Sequence, residues 1–247
     1  MPIYRYVKAK PPRPSRQRSL VISFSLLALG GSLLLWVAWP ILSFTLVGET
    51  FFAKTVTPLS DANDQVKANG VLSPVVLAAT VNNNTSGSVD YTNPNIWFPT
   101  SPQKKVVTPV NSYKVSIPAL KIDGATAIIG GDDLSKSLVH YGGTALPGEY
   151  GNTVIFGHST LPQFFNTKNY KTIFSTLPTL KIGDEILVDY DGIKYRYVIF
   201  EMVVTDPNDL TPLEQRFDDS YITLITCVPP GTYWKRLNVK ARLVRYQ

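Results

Sequence analysis

Cysteine occurs once in this 247-residue chain and histidine twice. One thiol excludes an intramolecular disulfide, so Cys227 is buried and inert, paired with another molecule, or reactive. Acidic residues are missing from positions 1–18, which hold Arg5, Lys8, Lys10, Arg13, Arg16 and Arg18. Those six account for the whole net charge of +6, because the remaining 18 basic residues are matched by 18 acidic ones. The basicity therefore belongs to a tail, and no nucleic-acid-binding body is expected. No internal repeat is visible, and acidic pairs such as Asp132-Asp133 and Asp218-Asp219 lack the regular ligand spacing of a calcium loop. The residues call for no metal and no cofactor.

Charge of either sign is absent from Ser19 to Gly48, a run rich in Leu, Val, Ile, Phe and Trp. About 20 apolar residues span a bilayer, so 19–47 reads as a transmembrane signal-anchor helix. Trp36 and Trp39 lie towards its C-terminal end, where indoles favour the interface. The run is too long for the apolar region of a cleaved signal peptide, roughly 7–15 residues. Basic charge on the N-terminal side keeps 1–18 cytoplasmic and puts the rest outside, giving a single-pass plasma-membrane protein with an extracytoplasmic body.

Residues 48–111 carry Pro58, Pro74, Pro94, Pro99, Pro102 and Pro109, an NNNTSGS tract at 82–88, and no sustained period. Such composition predicts an extended or disordered stalk. Within it, NPNIWFP (93–99) places Ile96, Trp97 and Phe98 together. A patch docking on the following domain is the plainer reading, and a lid over a site is the alternative. From Ser112 the text changes to short alternating runs: YKVSIP, NTVIFGH, EILVDY, IKYRYVIFE, YITLITC and RLNVKARLVRY. Asp191-Gly192, between EILVDY and IKYRYVIFE, is a strong two-residue hairpin signal. Only short helical pieces are expected, for instance near 166–177. The reading is an all-β sandwich or barrel over 112–247.

Parity on YITLITCV puts Ile222, Leu224, Thr226 and Val228 on the apolar face and Cys227 on the other. In the last strand, Leu237, Val239, Ala241 and Leu243 form the core row and Arg236, Asn238, Lys240 and Arg242 the opposite row. Cys227 and Arg236 are thus expected to flank one outer groove. A thiol becomes a nucleophile when an imidazole in hydrogen-bond reach raises its thiolate fraction. His158 closes the apolar strand NTVIFGH at a loop. His140 precedes a Gly-Gly turn and is the less constrained alternative.

The blocks TALPGEYGNTVIFGHS (144–159) and TLITC (223–227), followed by an arginine on the next strand, resemble the sortase family of cysteine transpeptidases. VSIPALKID (115–123) and LKIGDEILVDYDGIKYRYVI (180–199) extend the resemblance over essentially all of 112–247. It implies a closed eight-stranded β-barrel with short helices, with His158, Cys227 and Arg236 as catalytic residues and Thr226 shaping the substrate groove. His140 receives no role. The implied partners are exported proteins bearing an LPxTG-like sorting motif and an amine acceptor, either a cell-wall precursor or a pilin lysine. The family's cysteine and histidine are thought to be mostly neutral at rest. The segment around the cysteine resembles pilin-polymerising members, but the Asp-Pro-aromatic pattern of their lids is replaced here by Asn93-Pro94-Asn95. Anchoring and polymerising subclasses both stay open.

Two other classes are weighed against this. A membrane-tethered binding module without turnover is disfavoured because all three catalytic positions are filled. A cysteine hydrolase of the papain type would place its Cys early on a helix and its His late, whereas here His158 precedes a strand-borne Cys227.

Overall fold

In a computed structural model, residues 16–48, 52–54, 90–98 and 100–245 are described. The basic tail up to residue 15 and the NNNTSGS tract lie outside them. Helix α1, Arg16–Ser43, continues into one π-helical stretch, Phe44–Gly48. It is long and apolar enough to cross a membrane, and it is the only such helix among the described residues.

The strands are β1 (Ala53–Lys54), β2 (Ser112–Ile117), β3 (Ile122–Ile129), β4 (Leu138–His140) and β5 (Gly151–Phe156). They continue with β6 (Glu185–Tyr190), β7 (Ile193–Thr205), β8 (Ser220–Val228) and β9 (Lys235–Leu243). Strands β2–β9 close into a barrel in the order β7-β6-β2-β3-β4-β5-β8-β9, with β9 returning to β7. Closure removes the unpaired edges that an open sheet would expose. Strand β7 is long enough to hold β6 along Ile193–Val198 and β1 along Val203–Val204, so the short β1 is an appendage to the eight-stranded ring.

All six expected strand runs are present. Asp191 and Gly192 have φ of 52° and 75°, the left-handed pair that a two-residue hairpin turn requires, and Tyr190 pairs with Ile193 across it. The short helices expected near 166–177 are instead turns closed by side chains, with Asn166 Oδ1 accepting from Lys168 N and Asn169 Oδ1 from Lys171 N. Asparagine offers the backbone this local alternative to helix. One 3-10 turn follows at Leu177–Thr179.

Inside the barrel, one core gathers Val115, Ile117, Ile155, Ile222, Leu224, Leu237, Val239 and Ala241 among others. Strands β2 and β6 alternate between buried and exposed residues, as half-buried strands do. Strands β5 and β8 do not alternate, and every one of their residues is buried. Their outer faces are roofed by a second cluster comprising Val154, Phe156, Ile225 and Cys227 with Tyr141, Leu134, Trp97 and Phe98.

Trp97 and Phe98 come from the stretch expected to be extended. A 3-10 turn at Pro94–Ile96 is capped by Asn93, whose side chain accepts from Asn95 N. Leu134 N donates to Thr92 O at 2.8 Å, and Gln103 N donates to Asn95 Oδ1 at 3.2 Å. A Pro/Asn-rich text with two large aromatics thus becomes ordered by borrowing the barrel's outer face to bury them. That is the docking patch of the sequence reading.

Candidate active site

The parallel pairing of β5 with β8 sets the geometry of the candidate site. Phe156 is opposite Ile225, and Gly157 N donates to Ile225 O at 3.1 Å, so two residues further along each chain His158 comes level with Cys227. Side chains repeat their direction every second residue, which puts both on the outer face with Phe156 and Ile225. Two further bonds fix the level: Thr226 Oγ1 donates to Gly157 O at 2.9 Å and Ser159 Oγ donates to Cys227 O at 2.8 Å. Gly157 is required here, because a Cβ at that position would lie 2.2 Å from the Phe174 ring.

The antiparallel pairing of β8 with β9 brings Arg236 directly opposite Cys227. Arg236 Nη1 lies 3.4 Å from Cys227 Sγ and donates to Tyr233 O and Lys235 O at 3.2 and 3.3 Å. The sequence reading of the two strand faces holds. Val228, Leu224 and Ile222 are in the inner core, while Cys227 and Ile225 are in the outer cluster.

The outer face is nevertheless not an open groove. Cys227 is fully buried and Arg236 only 3% exposed. The Arg236 guanidinium stacks on Trp97 at 4.9 Å, and Trp97 meets Phe156 edge-on at 5.4 Å. Tyr91 stacks on Tyr233 at 3.7 Å, and Tyr233 in turn lies parallel to the His158 ring at 6.4 Å. Segment 90–98 therefore covers the arginine and, through Tyr233, the histidine. These cover residues were legible only as an apolar IWF run. Nothing in the sequence tied that run to a site 130 residues downstream in the chain.

Burial governs the protonation of the pair. Removal from water pushes the Cys227 thiol up to about 11, against the opposing pull of the Arg236 cation. Burial also lowers His158 below the usual imidazole value, helped by Lys171 and opposed by Asp90. Burial thus favours the uncharged form of both groups in the covered state. Two buried polar atoms here have no hydrogen-bond partner among the described residues, His158 Nδ1 and Arg236 Nε. Unsatisfied buried donors and acceptors are costly unless a ligand or a rearrangement uses them.

Thr226 lies on the inner side of β8, with its hydroxyl committed to Gly157 O. It is joined to the site through the backbone beside His158. His140 is elsewhere: it is fully buried on β4, with Nδ1 2.8 Å from Tyr113 Oη and Nε2 3.2 Å from Thr144 Oγ1. Burial lowers its pKa to about 4. Among the described residues no group of three or more His, Cys, Asp or Glu side chains is arranged to hold a metal.

Residues 110–244 match the family model of the sortase domain. Among solved structures, a sortase D5 transpeptidase of Clostridium perfringens is 27% identical, covering 57% of this chain and 83% of that one, with a TM-score of 0.48. Sortase A from Corynebacterium diphtheriae is 31% identical over 58% of this chain and 64% of that one, with a TM-score of 0.48. Sortase C-1 from Actinomyces oris is 28% identical over 57% of this chain and 76% of that one, with a TM-score of 0.49. No curated protein matches. Because the family model spans more than half of the 247 residues, the chain belongs to the sortase family of cysteine transpeptidases.

Proposed function

We propose that the protein is a single-pass enzyme of the plasma membrane, with tail 1–18 cytoplasmic, anchor 19–47, connecting segment 48–111 and catalytic domain 112–247 outside. It cleaves a C-terminal, LPxTG-like sorting motif of exported proteins and transfers the acyl group to an amine, from a cell-wall precursor or a pilin lysine. The observation that carries this is the convergence on one outer face of Cys227 and Arg236, 3.4 Å apart, with His158 held level by the β5–β8 register.

In this reading Cys227 gives its proton to His158, and the thiolate attacks the scissile carbonyl. Arg236, with a donor already at the sulfur, steadies first the thiolate and then the oxyanion that forms beside it. The imidazolium protonates the leaving amine, leaving a thioester on Sγ. His158 next takes a proton from the incoming amine and returns it to the departing thiolate as the new amide forms. Thr226 and Ser159 contribute by position, since their hydroxyls tie the histidine loop to the cysteine strand.

Segment 90–98 acts as a lid. A substrate cannot reach a fully buried thiol, so Trp97 has to leave Arg236, which frees the same guanidinium to receive the peptide. Lifting this cover also rehydrates the thiol and lowers its pKa, coupling access to activation.

Incubation with LPxTG-like peptides, followed by intact-mass spectrometry, tests the assignment. The acyl fragment should appear on Cys227, and an added amine should discharge it as a new amide. Full transpeptidation by Cys227→Ala would end the nucleophile assignment. Release of free acid alone with amine in excess would leave a hydrolase.

A further inference from the structure

The barrel does not hang clear of α1. Gln163 Nε2 donates to the carbonyl of Trp36 at 2.9 Å, Phe44 and Phe52 pack on the barrel's core, and β1 begins five residues after the π-helical stretch ends. Between anchor and barrel runs a groove of about 850 Å³, lined by Pro40, Phe44 and Phe52 on one side and Leu180, Ile182 and Met202 on the other. On this side of the molecule Phe164, next to Gln163, is 61% exposed, and Ile182 is 71% exposed. Lys181 beside it is exposed as well.

The length of α1 says what surrounds them. Hydrocarbon about 30 Å thick takes up about 20 helical residues, which counted from Ser19 reach Ala38. Trp36 and Trp39 then mark the outer boundary, and Pro40 to Gly48 lie in the headgroup layer. Every barrel residue that touches this stretch is at the same depth. Large apolar side chains exposed there, with a lysine among them, suit a boundary between acyl chains and phosphates better than water.

We propose that this face of the barrel docks on the outer leaflet. Phe164 and Ile182 enter the acyl boundary, Lys181 meets lipid phosphate, and the groove takes the upper part of a phospholipid chain. The consequence reaches the catalytic centre. Pro162, four residues after His158, and Pro230, three after Cys227, both line this groove. The site therefore opens beside the membrane surface, and it meets its peptide where that peptide leaves the bilayer. The proposal rests on α1 being the anchor, so its test reads both.

In Cys227→Ala full-length protein, single cysteines replace Leu29 on α1, Phe164, Ile182, or Ile193, the first residue of β7, which pairs with Tyr190 at the far end of β6, about 17 Å from that strand's start by strand rise. All four positions are exposed, so the core is left intact. Each variant carries a nitroxide and sits in nanodiscs of phosphatidylcholine and phosphatidylglycerol, where collision with oxygen reports lipid and collision with a neutral nickel chelate reports water. Labels at 29, 164 and 182 should favour oxygen, with nickel collisions severalfold below those at 193. If 164 and 182 match 193 while 29 remains in lipid, the docking surface is refuted and the anchor stands. If 29 is also in water, the anchor reading fails and the docking surface falls with it.

Discussion

Replacing Trp97 with alanine should unroof the Cys227 thiol. The indole is 1% exposed, stacks under Arg236 at 4.9 Å, meets Phe156 at 5.4 Å, and donates from Nε1 to Tyr91 O at 2.9 Å. Truncating a buried Trp costs ~3–5 kcal/mol, and the cation–π contact contributes ~0.5–2 kcal/mol. That loss falls on the cover, because the core inside the barrel contains no residue of 90–98. If only about 2 kcal/mol of it separates covered from uncovered states, the uncovered population rises about 30-fold, at 1.4 kcal/mol per tenfold. The assay is alkylation of Cys227, the chain's only thiol, by iodoacetamide at fixed pH. Only uncovered molecules react, and the fall in thiol pKa on rehydration acts in the same direction. The rate should rise at least about 30-fold by that estimate. Ile96→Ala, in the same 3-10 turn but 36% exposed, should change it little. A Trp97→Ala protein with unchanged circular dichroism and an unchanged alkylation rate would refute the gating role of segment 90–98.

Arg236→Lys should lower kcat/KM for transpeptidation by about 100-fold or more, because an ammonium cannot replace a planar fork that reaches the sulfur and a developing oxyanion together. A value near wild type would remove Arg236 from the mechanism. Gly157→Ala should cost about 1–3 kcal/mol in urea unfolding, since the added methyl must displace the Phe174 ring. An unchanged midpoint would show that the ring moves freely. For His140 the folded pKa of about 4 lies below the ordinary value of 6.5. Between those values the unfolded chain binds a proton that the folded chain refuses, so stability falls as pH drops through that window, by about 3 kcal/mol in all. His140→Gln should lose about that much less between pH 6.5 and 4 in urea denaturation, and equal losses would show that the imidazole ionises in place.

Much of the chemistry was legible because it is written in short, local patterns. A charge-free run is a solubility property, and Ser19 to Gly48 marks a candidate span without reference to any other residue. Strand parity is equally local. The period of two assigned Cys227 and Arg236 to one face before any pairing was known, and the structure places both there. The Asp191-Gly192 turn is dictated by its two positive φ values.

Pairing partners are a different matter. Strand β3 carries Gly124 inside it and β4 is only three residues long, so neither gave a clear alternating run, yet together they join β2 to β5 in the ring. The level of His158 with Cys227 comes from a parallel register between segments 69 residues apart in sequence, which no local period encodes. The cover is the sharpest case. Composition alone made 48–111 too poor in apolar surface to fold by itself, and that inference concerns a chain with nothing to pack against. Trp97 and Phe98 become buried because β5 and β8 present an outer face of Val154, Phe156 and Ile225 to receive them. The sequence by itself determined the charge-free run, the strand faces and the candidate residues for the chemistry, since each follows from neighbours along the chain. Only the tertiary structure decided that the Cys227 thiol rests covered and uncharged, because burial is a property of what another segment brings on top.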